Sequence, residues 1–330
     1  METISLYFHP QQIQSNGSAA GLLVSESAAS RILIRNRGGL NKKSYVIEYE
    51  NALHGKRTIY LNAEEHDPSL IRRRLAYHFF SQIGVLSPLA SHVFLHINGR
   101  EEGIYVKIEA VDDHFLKERH MPWGAIYEAR YTDPRIPLFG TENGLFNALS
   151  NRNMNTPMHD AYLQEFLSFI HSAADDEFAA RIKTYLDVKL FYLWLIGSAC
   201  TRHSSHFAIY LNGDAGRFQI VPQESRELVL NTLADDDMLL ANGQTLAARL
   251  LAITAFKAQY HALLKNVLTR EFTIDRLSQK IREWHLDICP RISGDPYISG
   301  TCSSLEREQT KILHDIEHRQ ALLHLQLATL

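Results

Sequence analysis

Two short stretches, CTRHSSH at 200–206 and PQESRE at 222–227, hold the side chains that most invite chemistry in this chain. Cys200, His203 and His206 follow a C-x-x-H-x-x-H spacing, and Glu224 offers a fourth donor, the mixture of thiolate, imidazole and carboxylate that a transition metal takes. Three ligands on one short loop rarely close a tetrahedron, and loop histidines are more often solvated. The second loop adds Gln223, Arg226 and Glu227. With glutamates as the hard oxygen donors, a magnesium-assisted phosphate chemistry is the other reading.

Both loops depend on the elements around them. A hydrophobic helix over 187–199, with Asp187 as its cap, delivers the chain to the first loop; FAIYL and RFQIV then read as strands joined by an NGDAG turn. A tight hairpin over 207–221 sets the residues before its first strand beside those after its second. Helix, loop, hairpin, loop is also the layout in which protein kinases carry their catalytic and metal-binding loops. That chemistry needs an Asp to take the hydroxyl proton, and an Asn and a second Asp to hold magnesium. Here the candidates are Thr201, which is no base at neutral pH, His206 and the glutamates.

The first half reads as mostly sheet with one helix. RILIRNRGGLNKKSYVIEYE contains two β-rich runs around Gly38 and Gly39, and residues 31–57 carry seven Lys or Arg against Glu48 and Glu50. Arg35, Lys42 and Lys43 are therefore candidates to meet nucleotide phosphates, the competing reading being a solvated basic edge that blocks strand addition. Asp67-Pro68 signals a helix over 68–82, with Ile71, Leu75 and Phe79 on its buried face. It carries Arg72, Arg73 and Arg74 but no carboxylate for a strand lysine, so Glu64, Glu65 or Glu109 must serve if such a pair exists. Alternation of Val93, Leu95 and Ile97, and of Ile104, Val106 and Ile108, around Asn98-Gly99 predicts a hairpin.

Residues 131–158 are turn-rich and are taken as a linker between a sheet-rich half, 1–130, and a helical half, 159–330. Helices are expected over 159–171, 175–184, 187–199, 244–268, 273–287 and 303–327, the last capped by Ser303 with Glu306. Leu305, Ile312, Ile316 and Leu323 in that last helix read as core positions. Asp235, Asp236 and Asp237 read as a solvated turn capping a helix at Met238, with replacement metal ligands as the rarer alternative.

Composition narrows the partners. The chain is 45% hydrophobic and 22% charged with a formal charge of −3, a globular balance that does not favour nucleic acid or a membrane surface. Its longest apolar run, LFYLWLIGSA at 190–199, is too short to cross a bilayer, and METISLYFHPQQIQ has no secretory pattern, so synthesis in the cytoplasm is expected. Three cysteines argue against a disulfide framework and for a reducing compartment, with a Cys289–Cys302 bridge left open.

The stretches RILIRNRGGLNKKSYVIEY, DPSLIRRRLAYHFFSQIGVLSPLASHVFLHINGREEGIYVKIEAVDDHFL and LAARLLAITAFKAQYHALLKNVL, together with the helix and hairpin at 187–222, resemble the CotH family of spore coat proteins. The resemblance implies an α+β, atypical protein-kinase-like two-lobed fold that binds ATP with Mg²⁺ or Mn²⁺ and phosphorylates serines of other coat proteins. It implies synthesis in the mother cell followed by residence in the spore coat. It also implies nucleotide contacts for Arg35, Lys42, Lys43 and Glu109, and a metal site at His206 and Glu224. The family's catalytic Asp, its Asn before the first hairpin strand and its P-W-D after the second fall, by spacing, on Thr201, His206 and Pro222-Gln223-Glu224. These substitutions lead to the expectation of a catalytically degenerate protein acting in coat assembly. The alternatives are an active kinase that uses Glu224 with a replacement base, and a scaffold independent of nucleotide.

Overall fold

A computed structural model of the 330-residue chain describes residues 1–50, 57–129, 149–151, 157–202, 206–223, 245–298 and 300–329. They pack as two units. The first comprises Met1–His78, Pro88–Phe115 and Ile274–Asp315, and the second Phe79–Ser87, Leu116–Thr273 and Ile316–Leu330.

Seven strands of the first unit close into a barrel: β1 (Glu2–Phe8), β2 (Ser18–Ser25), β3 (Ala29–Gly38), β4 (Ser44–Tyr49), β5 (Thr58–Asn62), β6 (Ala90–Ile97) and β7 (Arg100–Glu109), with α1 (Pro10–Asn16) between β1 and β2. Their order is β1-β2-β3-β4-β5-β7-β6, and β1 closes the ring by lying parallel to β6. Alternation sends every second side chain inward, so Ile4 and Leu6, Ile32 and Ile34, Val93 and Leu95 fill one core. The β6–β7 hairpin turns at Asn98 and Gly99, both at positive φ as a type I′ turn requires.

The expected helix at 68–82 starts later, as α2 (Arg72–Gln82). Asp67 still caps it, but its carboxylate accepts from both Ser69 N (3.1 Å) and Arg72 N (2.9 Å), which holds 68–71 as a separate turn with Leu70 at φ 61°. Tyr77 of α2 packs with Tyr60, Val106 and Ile108.

Residues 274–315 lie beyond the expected linker yet pack with the barrel unit. They comprise α9 (Ile274–Ile288), a 3₁₀ turn (Cys289–Gly294) and the first half of α10 (Cys302–Thr329), numbering helices in chain order. Leu277, Ile281, Trp284 and Ile288 repeat at helical spacing and give α9 its buried face. The cap of α10 is Thr301 rather than Ser303: Ser304 N donates to Thr301 Oγ1 (3.3 Å), and Thr301 N donates to Ser304 Oγ (2.8 Å).

The second unit is mainly helical. It holds the second half of α3 (Asp113–Glu118), then α4 (Pro157–Ser172), α5 (Asp175–Tyr185), α6 (Val188–Thr201), α7 (Thr245–Ala252) and α8 (Thr254–Arg270). A four-stranded sheet joins β8 (Ile126–Ala129), β9 (Leu149–Asn151), β10 (Phe207–Asn212) and β11 (Arg217–Pro222) in the order β11-β10-β8-β9. The helix expected over 244–268 is broken at Ile253, whose backbone is extended. α6 is apolar on all sides and almost wholly buried, and Trp194 meets Phe207 of β10 edge to face. The sheet-rich N-terminal half and helical C-terminal half are thus as the sequence suggests.

Candidate functional site

Asp187 accepts from Leu190 N at 3.1 Å and starts α6. The helix runs two residues beyond its expected end, to Thr201, and Arg202 in the left-handed region (φ 58°) stops it. That overrun decides what Cys200 and Thr201 can do. Cys200 points into the core with 0% exposure, and burial pushes its thiol above the ordinary range. It is no member of a loop metal site, which corrects the C-x-x-H-x-x-H reading. Thr201, 1% exposed, donates its hydroxyl to the Gly197 carbonyl at 2.8 Å, one turn back along the helix.

The hairpin brings its flanks together as expected, for Gln223 N donates to His206 O at 3.0 Å and Phe207 pairs with Pro222. Gln223 is buried, and its Nε2 has no hydrogen-bond partner among the described residues. His203, Glu224, Arg226, Glu227 and Asp235–Asp237 lie outside the described residues. Of the three positions that the family motifs occupy here, Thr201 has its hydroxyl proton engaged by Gly197 O and His206 carries an imidazole, while Glu224 lies outside the described residues.

A different constellation, in the barrel unit, is fully assembled. The loop between β3 and β4 doubles back at Gly39 (φ 117°), where a Cβ would collide with the main chain of Lys42. Glu65 holds the loop by accepting from Leu40 N (2.8 Å) and Asn41 N (2.6 Å), and those hydrogen bonds lower its carboxyl pKa. Lys42 is thereby driven inward. Its ammonium donates to Asp295 Oδ2 (2.6 Å) and Ile104 O (2.7 Å) and lies 4.6 Å from the centre of the Tyr105 ring.

Asp295 is as tightly engaged. Its Oδ2 also accepts from Ile104 N (2.8 Å) and its Oδ1 from Tyr297 N (2.9 Å). Gly103, at φ 87°, is required beside it, because any Cβ there would fall on the carboxylate. Burial lowers the Lys42 pKa, and the Asp295 charge opposes that shift. Tyr105 donates its hydroxyl to Lys43 O at 3.0 Å, and burial raises its pKa. A cavity of about 380 Å³ adjoins the loop, lined in part by Asn41, Lys42, Glu65, Tyr297 and Ser304.

The other residues singled out from the sequence are held separately. Arg35 pairs with Glu48 across β3 and β4; Lys43 Nζ donates to the carbonyls of Gly39 and, at 3.1 Å, Leu40. Glu109 accepts from Leu89 N at 2.8 Å, and Glu64 pairs with Arg73 at 2.8 Å. The carboxylate that meets the lysine is therefore Asp295, none of the three glutamates considered. Its only advance signal is an acidic residue in the turn-rich GDP at 294–296. Cys289 and Cys302, which bracket that turn, form a disulfide.

The family profile described as CotH kinase protein matches residues 34–323. Over 331 residues, covering all of both chains, the sequence is 47% identical to the inner spore coat protein H-like protein of Bacillus subtilis (strain 168). It is 32% identical over 297 residues to the inner spore coat protein H of the same strain, covering 86% of this chain and 82% of that one. The crystal structure of a Helicobacter pylori proinflammatory kinase, CtkA, aligns over 89% of this chain and 94% of its own with 12% identity and a TM-score of 0.34, too slight a likeness to carry an argument. On the family match and these two relatives, the chain belongs to the CotH kinase protein family.

Proposed function

We propose that this chain is a spore coat protein with the kinase-like, two-lobed architecture its family implies, that it has lost phosphoryl transfer, and that it acts in coat assembly. The observation that carries the reading is Thr201. It stands where the family places its catalytic aspartate, and its hydroxyl is buried and bound to Gly197 O. Phosphoryl transfer draws almost all of its rate from positioning and charge neutralisation, so losing the base and the oxygen ligands for magnesium together removes most of it.

The names of the two Bacillus subtilis relatives support a coat location and coat proteins as partners. Among the described residues no helix is long and apolar enough to cross a membrane. A spore-forming strain lacking the chain is expected to misassemble its coat, and a Thr201→Val copy should restore coat protein content as fully as the wild type. A folded Thr201→Val protein that fails to restore it would overturn the reading.

A further inference from the structure

Cys289 and Cys302 are 13 positions apart with Cα atoms 5.1 Å apart, and they are joined where α9 ends and α10 begins. Both are partly accessible to solvent. Their surroundings differ in a way that matters for sulfur chemistry. Cys302 is the first residue of a 28-residue helix, where free main-chain N–H groups favour a thiolate. Cys289 follows the C-terminal end of α9, where the helix field disfavours one.

His285 adds to the asymmetry. Its Nε2 lies 3.6 Å from Cys302 Sγ, and its Nδ1 is 2.8 Å from Gln309 Oε1. An amide oxygen only accepts, so Nδ1 carries the proton and Nε2 presents its lone pair to the sulfur. The three side chains each place one donor atom within 4.8 Å of the others.

We propose that Cys289, Cys302 and His285 form a thiol–disulfide exchange site for the low-molecular-weight thiol and disulfide couple of the cell. The better leaving thiolate decides which sulfur is attacked. A small thiolate attacks Sγ of Cys289, the disulfide breaks, and its electron pair leaves on Sγ of Cys302. A second small thiolate then attacks the outer sulfur of the mixed disulfide, and Cys289 departs with the second pair. The protein gains two electrons and two protons, and two small thiols become one small disulfide. Oxidation runs the same steps backwards. The ring that opens contains Asp295 and Tyr297, so the exchange acts on the segment that holds Lys42. This goes beyond coat assembly and does not depend on it.

The test equilibrates the full chain with glutathione and its disulfide at graded ratios, then traps thiols by alkylation and locates them by mass spectrometry. Cys289 and Cys302 should interconvert together in a two-electron titration of the folded protein, with buried Cys200 unmodified throughout. In the reduced protein Cys302 should alkylate roughly tenfold faster than Cys289, and His285→Gln should narrow that gap. In Cys302→Ser, glutathione should remain on Cys289. A bond that resists every ratio until denaturant is added, or faster alkylation of Cys289, overturns the proposal.

Discussion

The Lys42 ammonium donates to the Asp295 carboxylate at 2.6 Å across 253 positions of chain, and both side chains are buried. A buried ion pair gains little over a well-packed apolar pair, but removing one partner strands the other charge. Lys42→Met or Asp295→Asn should each cost about 3–5 kcal/mol, measured by urea unfolding. The double variant should cost clearly less than the sum of the two. Additive losses would mean that the residues act independently.

Gly103→Ala combines a positive φ with a methyl group on the Asp295 carboxylate. It should displace Asp295 and destabilise the fold by at least about 1 kcal/mol. In Asp295→Gly the same change should be milder, because only the backbone strain remains. Equal penalties in the two backgrounds would contradict a steric contact.

His92 provides a pH test. Arg74 Nη1 can only donate to its Nδ1 (2.7 Å), so Nε2 donates to Leu70 O (2.7 Å) and the ring is neutral. Burial, reinforced by Arg74, pushes its pKa down to about 3. The unfolded chain takes up this proton near pH 6.5 and the folded chain only near pH 3, so stability contributed above pH 6.5 is lost as pH falls through that window. The expected slope is up to about 1.4 kcal/mol per pH unit, and His92→Gln should flatten it.

Much of the barrel can be read from the sequence. Val93, Leu95 and Ile97 alternate, Asn98-Gly99 marks its own turn, and the face of α9 repeats with helical period. Local pattern says nothing about closure, and the parallel β1–β6 pairing and the Lys42–Asp295 contact both join distant segments. The reading of Cys200 as a loop ligand failed for a local reason. Nothing in SACTR marks where α6 stops, and two more helical residues turn a thiol from the loop into the core.

Reduction of Cys289–Cys302 should lower stability by about 3 kcal/mol, the entropy of releasing a short loop. It should also speed hydrogen exchange at the Ile104 amide, which donates to Asp295. An unchanged Ile104 rate would show that the disulfide and the lysine site are uncoupled.

Thr201 separates a core position from a catalytic one. Thr201→Val should be nearly neutral, at roughly 1 kcal/mol. Thr201→Asp should cost about 3 kcal/mol or more by burying an unpaired carboxylate. If Thr201→Asp unfolds at the wild-type denaturant concentration, position 201 opens on solvent.

The most direct test of lost turnover is transfer of labelled phosphate. Purified protein is incubated with γ-labelled ATP, Mg²⁺ or Mn²⁺ and a serine-rich coat protein, beside a Lys43→Ala control. The account predicts labelling no greater than the control with either metal. Robust labelling that disappears in Lys43→Ala would contradict it.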